Sequence, residues 1–327
     1  MEREFSFAIM GAGHIAVKFA DAVRRTAGCR VSAVASKSME RARRFALENG
    51  VPDAYDSYEG MLDTARPDCV YIATTCDSHF ALGMLCLERG VPVLCEKAMF
   101  TSGKEAEQFF RRAREAGVFA MEALWSLFLP ANRRARDWAA EGRIGTLAYA
   151  EASLGFAASR DADNRYYSPA LGGGAANDLS IYGLHLLPFA TGRSIERASA
   201  ESTAAFTGVD ETNALLLRLA GDVPAVVRSS LGAPMEERMA LFGSRGRIVV
   251  PHAHYASEAV LYDEHGAEIE RFRDTATENG FTYEVEEVMC CVTSGALESP
   301  VVPQAATLEY TRLLDLVRNP AAQKISS

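Results

Sequence analysis

The sequence predicts an α/β protein, with an N-terminal Rossmann-type doubly wound parallel sheet followed by a C-terminal α+β domain built on an open, mainly antiparallel sheet. Three observations predict it. Short apolar runs alternate with helix-patterned stretches as far as residue 121. A Gly-x-Gly turn leaves the first of those runs. Beyond residue 122 the strands cluster apart from the helices. A chain of 327 residues is long for one core, so two domains are expected, 1–121 and 122–327.

Each element follows from local pattern. In the first domain the apolar runs Phe5–Met10, Arg30–Ser36, Cys69–Ala73, Val91–Cys95 and Val118–Met121 read as strands buried on both faces. Between them Ile15–Thr26, Met39–Asn49, Ser78–Glu88 and Gly103–Ala116 read as helices. Gly50, Gly90 and Gly117 follow three of these, where a left-handed cap is wanted. In the second domain a helix over Asn132–Glu141 leads to a strand over Thr146–Leu154. A loop with Tyr166, Tyr167 and Gly172–Gly174 then opens a helix over Asn177–Phe189. Strands fill Glu196–Glu270, with turns at Ala220-Gly221-Asp222 and Glu264-His265-Gly266, and helices over Thr282–Thr293 and Gln304–Val317 close the chain.

Composition narrows the function. A hydrophobic fraction of 48% with 24% charged residues is that of a globular protein in water. The net charge of −9 argues against nucleic acid or an anionic membrane as partner. No stretch approaches the ~20 apolar residues of a membrane span. The acidic opening Met1–Phe5 has no apolar core and is not expected to be a secretory leader. The cysteines at 29, 69, 76, 86, 95, 290 and 291 are odd in number and lack the spacing of a zinc or redox motif. The expectation is a reducing cytoplasm, no structural disulfide and no metal.

Phe5–Met10 runs straight into Gly11-Ala12-Gly13-His14-Ile15-Ala16, a dinucleotide fingerprint with alanine in the third small position. Gly11 permits the tight turn, Gly13 lets backbone approach a pyrophosphate, and Ala16 allows close helix–strand packing. His14 and Ile15 open the helix whose N-terminal amides face the phosphates. The residue ending the second strand separates NAD from NADP, because a carboxylate there would bind the ribose diol and repel a 2′-phosphate. This chain has Ser36 and Lys37 instead, with Arg41 one turn on: Ser36 can donate to phosphate, and Lys37 and Arg41 can neutralise it. NADP is the expected cofactor. Arg43 and Arg44 are read as a solvated helix face.

In open parallel sheets ligands bind beyond the carboxyl ends of the strands. Thr74 and His79 lie past the strand ending at Ala73, and Glu96 and Lys97 past the next. Thr74, His79 and Glu96 are therefore assigned to the cofactor. Asp178, Tyr182 and His185 are spaced four and three apart and share one face of an α-helix. Gly172–Gly174 precede them and would let a ligand come close, while Leu179, Leu184 and Leu187 supply the buried side. Carbonyl reduction needs a proton donor at the developing alkoxide. Tyrosine, with a pKa of about 10, needs a nearby cation to serve as a base near neutrality. Lys97 can stabilise the phenolate or donate itself, Asp178 can orient the lysine or bind substrate hydroxyls, and His185 is a candidate substrate contact.

Together, Gly11–Ala16, Cys95-Glu96-Lys97 and Gly172–His185 resemble the glucose–fructose oxidoreductase/inositol dehydrogenase family. The chain is most similar there to dimeric dihydrodiol dehydrogenases and NADP-dependent D-xylose dehydrogenases. Met121-Glu122-Ala123-Leu124-Trp125, Asn279-Gly280-Phe281-Thr282-Tyr283-Glu284 and the Glu298-Ser299-Pro300 run carry that closer similarity, which spans essentially the whole chain. The resemblance implies that Lys97 is the catalytic lysine and Tyr182 the acid/base, with Asp178 beside it. His185 is then not the catalytic histidine that some members carry in place of the tyrosine. It also implies an apolar substrate wall from Trp125, Phe156 and Phe281, a sugar or cyclic diol as substrate, and a homodimer through the C-terminal sheet. Two positions depart from the pattern. Ala98 replaces the usual proline after the lysine, where a cis bond costs about 2.5–4 kcal/mol against ~0.5–1 before proline. Leu127 stands where the subgroup tends to have arginine.

The leading expectation is hydride exchange between NADP and a secondary alcohol, the lysine amine meeting the phenol beside the nicotinamide. The alternatives are an NADP-binding regulator without catalysis, toward which Ala98 leans, and a reductase of an imine or tetrapyrrole-like carbonyl.

Overall fold

In the computed structural model, which describes residues 3–318, β1 (Phe5–Met10) is buried along its whole length. Five further parallel strands join it: β2 (Cys29–Ala35), β3 (Asp53–Tyr55), β4 (Cys69–Ile72), β5 (Val93–Glu96) and β6 (Ala120–Ala123). Their order is β3-β2-β1-β4-β5-β6. The order reverses between β1 and β4, so the loops leaving these two strands flank the switch point where such sheets bind ligands. Burial on both faces is why β1, β4, β5 and β6 read as mainly apolar runs rather than alternating ones.

The crossover helices are α1 (His14–Arg25), α2 (Met39–Asn49), α3 (Tyr58–Ala65), α4 (Cys76–Glu88) and α5 (Gly103–Ala116). Ser38, Ser57 and Ser102 cap α2, α3 and α5 by accepting backbone N–H bonds. Gly50 and Gly117 close α2 and α5 at φ +68 and +65, the left-handed caps the sequence predicts. The sequence reading lacks β3 and α3. At three and eight residues they are too short for periodicity to show.

The second sheet has eight strands: β7 (Leu147–Gly155), β8 (Ile195–Ala204), β9 (Asp210–Leu219), β10 (Val223–Ser230), β11 (Arg238–Gly243), β12 (Gly246–Pro251), β13 (Glu258–Asp263) and β14 (Glu268–Arg273). They run in the order β14-β13-β12-β11-β7-β10-β9-β8. Its pairs are antiparallel apart from β7 with β10. One face carries α6 (Pro130–Ala140) and α7 (Ile181–Thr191). Gly183 of α7 lies so close to the sheet that a Cβ there would stand 2.6 Å from a Val227 methyl.

Two helices close the chain, α8 (Thr282–Thr293) and α9 (Gln304–Arg318). The chain divides into two compact units. One runs up to Trp125 and includes Glu278–Glu309; the other holds Ser126–Thr277 and the chain from Tyr310. The segment 278–309, assigned from sequence to the second domain, thus packs with the first. The Asn279 amide donates to the Lys18 carbonyl and to Asp21 on α1, both at 2.9 Å. Ala120 N donates to Leu297 O.

Candidate active site

The turn after β1 sorts its two glycines. Gly11 sits at φ +104, and a Cβ there would lie 2.8 Å from the Ala73 carbonyl oxygen at the end of β4. Glycine is required by the neighbouring backbone. At Gly13 a Cβ would meet nothing within 4 Å. Gly13 is the N-cap of α1, which has no side-chain cap and no acid in its first turn. His14 is exposed, Ile15 half-buried, and Ala16 buried against the sheet. Open backbone at an uncapped helix N-terminus suits a diphosphate, so the residues present fit the nucleotide that the motif implies.

Beyond β2, Ser36 is buried and its hydroxyl accepts from Ser38 N at 3.4 Å. That leaves its hydrogen free to be donated. Ser38 in turn accepts from Arg41 N at 3.3 Å, and the Lys37 and Arg41 side chains are exposed.

Lys97 leaves β5 on a turn clamped from three sides. The Lys97–Ala98 peptide bond is cis, as the family's proline would allow. Lys97 N donates to Glu96 Oε2 at 3.2 Å, and the Tyr71 hydroxyl of β4 donates to the same carboxylate. On α4, the Cys76 thiol donates to the Ala98 carbonyl at 3.1 Å. Met99 N donates to Glu122 of β6 at 2.9 Å.

His79, expected at the cofactor, faces inward instead. Its ring nitrogens lie 3.2 Å from the Ala98 carbonyl and 3.1 Å from the Thr74 carbonyl. Burial lowers its pKa from the ordinary histidine value. It ties the β4 loop to the lysine turn. Thr74 accepts at its hydroxyl from Ser78. Burial raises the Glu96 carboxyl above the ordinary range, with Tyr71 and Lys97 opposing. Behind it Glu284 of α8 is fully buried and neither carboxyl oxygen has a hydrogen-bond partner. Burial, with Glu96 adding, pushes Glu284 well above the carboxylate range. Trp125 and Phe281, both expected at the substrate, stack at 4.9 Å with 20° between planes.

In the second unit, the helix carrying Asp178 does not begin as an α-helix. Ala176–Ser180 form a π-helical turn before α7. The 3.6-residue spacing used to align Asp178 with Tyr182 therefore does not apply across the junction. Gly172–Gly174 also play a part other than the expected one. A Cβ at Gly173 would stand 2.6 Å from the Tyr166 carbonyl oxygen, and one at Gly174 would stand closer still to Asp210. The chain itself fills the space that was read as room for a ligand.

Asp178 pairs with Arg165 at 3.3 Å. The Arg165 guanidinium lies 4.1 Å over the Tyr166 ring, which meets Phe156 edge-on at 5.1 Å. Tyr182 is buried, its ring 5.1 Å from that of His254. His185, expected at the substrate, is 3% exposed and packs edge-on against Tyr310 at 4.7 Å.

Sequence reasoning missed Arg165, His254 with its hydrogen-bond partner Glu237, and Glu284 as residues of these clusters. Glu284 stood inside a quoted motif. Arg165 reaches Asp178 from the loop before the π-helical turn, and the β11–β12 pairing brings Glu237 to His254; no local pattern marks either meeting. Among the described residues no group of three or more His, Cys, Asp or Glu could hold a metal ion, and no helix is long and apolar enough to cross a membrane.

A switch-point nucleotide cradle, a lysine at the next strand end and a second, mainly antiparallel sheet define a dinucleotide-linked oxidoreductase. The sequence matches the profile described as oxidoreductase family, NAD-binding Rossmann fold, over residues 5–124, and that described as GFO/IDH/MocA C-terminal domain over residues 132–249. The chain belongs to the GFO/IDH/MocA family of oxidoreductases. It is 33% identical to trans-1,2-dihydrobenzene-1,2-diol dehydrogenase of Mus musculus over 88% of this chain and 87% of that one. The Homo sapiens enzyme of the same name is 31% identical over 88% of this chain and 87% of that one. A 3-ketoreductase from Actinomadura kijaniata, solved with NADP and TDP-benzene, superposes with a TM-score of 0.85 at 25% identity, covering 97% of this chain and 98% of that one. The aldose-aldose oxidoreductase of Caulobacter crescentus, at 21% identity and a TM-score of 0.88 over 99% of each chain, shares the fold.

Proposed function

We propose that this oxidoreductase uses NADP to interconvert a secondary alcohol and a ketone on a sugar or cyclic diol, with Lys97 and Tyr182 managing the proton. The nicotinamide, when bound, supplies or accepts the hydride. The observation that carries the reading is the clamped turn at Lys97, where α4 and β6 hold the Ala98–Met99 peptide that follows a cation next to buried Glu96. Phenol and ammonium together lower the cost of proton transfer at the alcohol oxygen, an effect typically worth 10²–10⁴-fold. Asp178 orients substrate hydroxyls or the lysine, and Trp125, Phe156 and Phe281 supply the apolar wall.

Gly11, Gly13, His14 and Ile15 receive the diphosphate, and Thr74 and Glu96 border the cofactor. Ser36, Lys37 and Arg41 receive the 2′-phosphate, at a strand end that carries no carboxylate to repel it. The diol named for the dihydrodiol dehydrogenases and the 3-ketoreductase named for the Actinomadura kijaniata structure support the substrate class. A reducing cytoplasm suits a chain whose seven cysteines lack the spacing of a zinc or redox motif. The outer face of the second sheet supports a homodimer.

Screening NADP-linked oxidation of xylose, glucose, inositol and trans-dihydrodiols tests the activity. In the best substrate, Tyr182→Phe and Lys97→Met each lower turnover by roughly 100-fold or more, with NADPH affinity nearly unchanged. Near-wild-type turnover in either variant removes this mechanism. Equal or better catalytic efficiency with NAD removes the NADP assignment.

A further inference from the structure

β12 ends in a 3-10 turn, Ala253–Tyr255, whose lead residue His252 stands at φ +48. A non-glycine residue in the left-handed region persists where its surroundings over-determine it. The surroundings here do so. His252 N donates to the Glu237 carbonyl at 2.9 Å, Tyr255 N donates to the His252 carbonyl at 2.8 Å, and the Tyr255 hydroxyl meets His252 Nδ1 at 2.9 Å. Buried Asn132 donates through its amide to the Ala253 and Ser126 carbonyls at 2.7 and 2.8 Å.

The product of this bracing is one fixed ring. His254 Nδ1 is hydrogen-bonded to Glu237. Tyr255 abuts the ring edge-on at 4.4 Å, and the Tyr182 ring lies 5.1 Å away at 42°. Glu237 is largely buried and stands 3.7 Å from His252 as well. A surface ion pair has no need of a strained backbone and a buried asparagine behind it.

We infer that His254, oriented by Glu237, is a positioning residue for Tyr182, fixing the phenol ring in the rotamer that proton transfer requires. The inference rests on the acid/base role proposed for Tyr182. A misplacement of about 1 Å at a reacting group costs on the order of 100-fold in rate, so a loosened tyrosine lowers kcat without weakening cofactor binding.

A kinetic cycle on the full-length protein, with the fastest substrate of the screen, tests it. His254→Asn and Glu237→Gln are expected to lower kcat by roughly 10- to 100-fold while KM for NADP stays within about twofold. His254→Asn added to Tyr182→Phe is expected to lower kcat no further, because its effect passes through the hydroxyl already removed. An equal loss in both backgrounds, or unchanged kcat in His254→Asn, overturns the inference alone. Wild-type turnover in Tyr182→Phe removes the tyrosine reading and this inference with it. A substrate-free check uses the Tyr182 ring resonances, assigned by their disappearance in Tyr182→Phe. They should shift in both His254→Asn and Glu237→Gln; resonances unmoved in both variants overturn the contact on which the inference stands.

Discussion

Glu284 shows how a single side chain ties the first unit to pH. It is an acid on the first turn of α8 whose two carboxyl oxygens are buried without partners, and its pKa is raised by burial and by Glu96. The folded protein therefore holds this proton at pH values where the unfolded chain, titrating near 4.5, has released it. That contribution to stability is complete below the unfolded pKa. It is lost progressively as pH rises through the folded one. Glu284→Gln cannot ionise, so thermal melts of the two proteins from about pH 5 to about pH 8 should show wild type losing ground to the variant. Parallel curves would mean that the carboxyl is not held protonated. Gly11 and Gly13 make a related point at residue scale. One motif, read as two roles, proves to be one glycine demanded by the Ala73 carbonyl and one beside open space.

At the scale of elements, α7 is seated on the second sheet by an absence of side chain. A Cβ at Gly183 would fall 2.6 and 3.0 Å from the two Val227 methyls and 3.2 Å from Ala152 Cβ. Helix and sheet are fixed relative to one another by that close approach, and Tyr182 is carried on the same turn. Gly183→Ala would overpack this contact, at a typical cost of ~1–3 kcal/mol, and should lower the melting temperature measurably. An unchanged melting point would show that α7 is not seated as described.

The elements themselves were legible in sequence where they are long and periodic. Met39–Asn49, Gly103–Ala116 and Thr282–Thr293 have the boundaries their patterns predict. The π-helical turn at Ala176–Ser180 was not legible, because its side-chain sequence is one an α-helix also accepts. Nor was the glycine run, whose purpose depends on Tyr166 and Asp210 arriving from elsewhere.

For the molecule as a whole, the sheet face turned away from α6 and α7 is the largest feature left to account for. It presents Tyr149 against Phe242, exposed Leu216, and Glu151 between Arg238 at 2.5 Å and Arg228 at 3.7 Å. Aromatic and arginine side chains are enriched at interfaces between subunits. The proposed second copy covering this face would account for them. Sedimentation equilibrium at micromolar concentration should therefore give twice the 35.4 kDa chain mass, and Leu216→Glu should shift the protein toward monomer. A wild-type monomer would remove the dimer from the proposal.

The sequence by itself determined the parallel nucleotide-binding sheet, its fingerprint turn and the lysine at the next strand end, because these depend on patterns a few residues long. Tertiary structure alone decided that 278–309 packs with the first unit, that His79 braces a turn, and that His254, held by Glu237, stands beside Tyr182. Each of these joins residues far apart in the chain. Their meeting is fixed by sheet order and burial, and local periodicity carries no record of either.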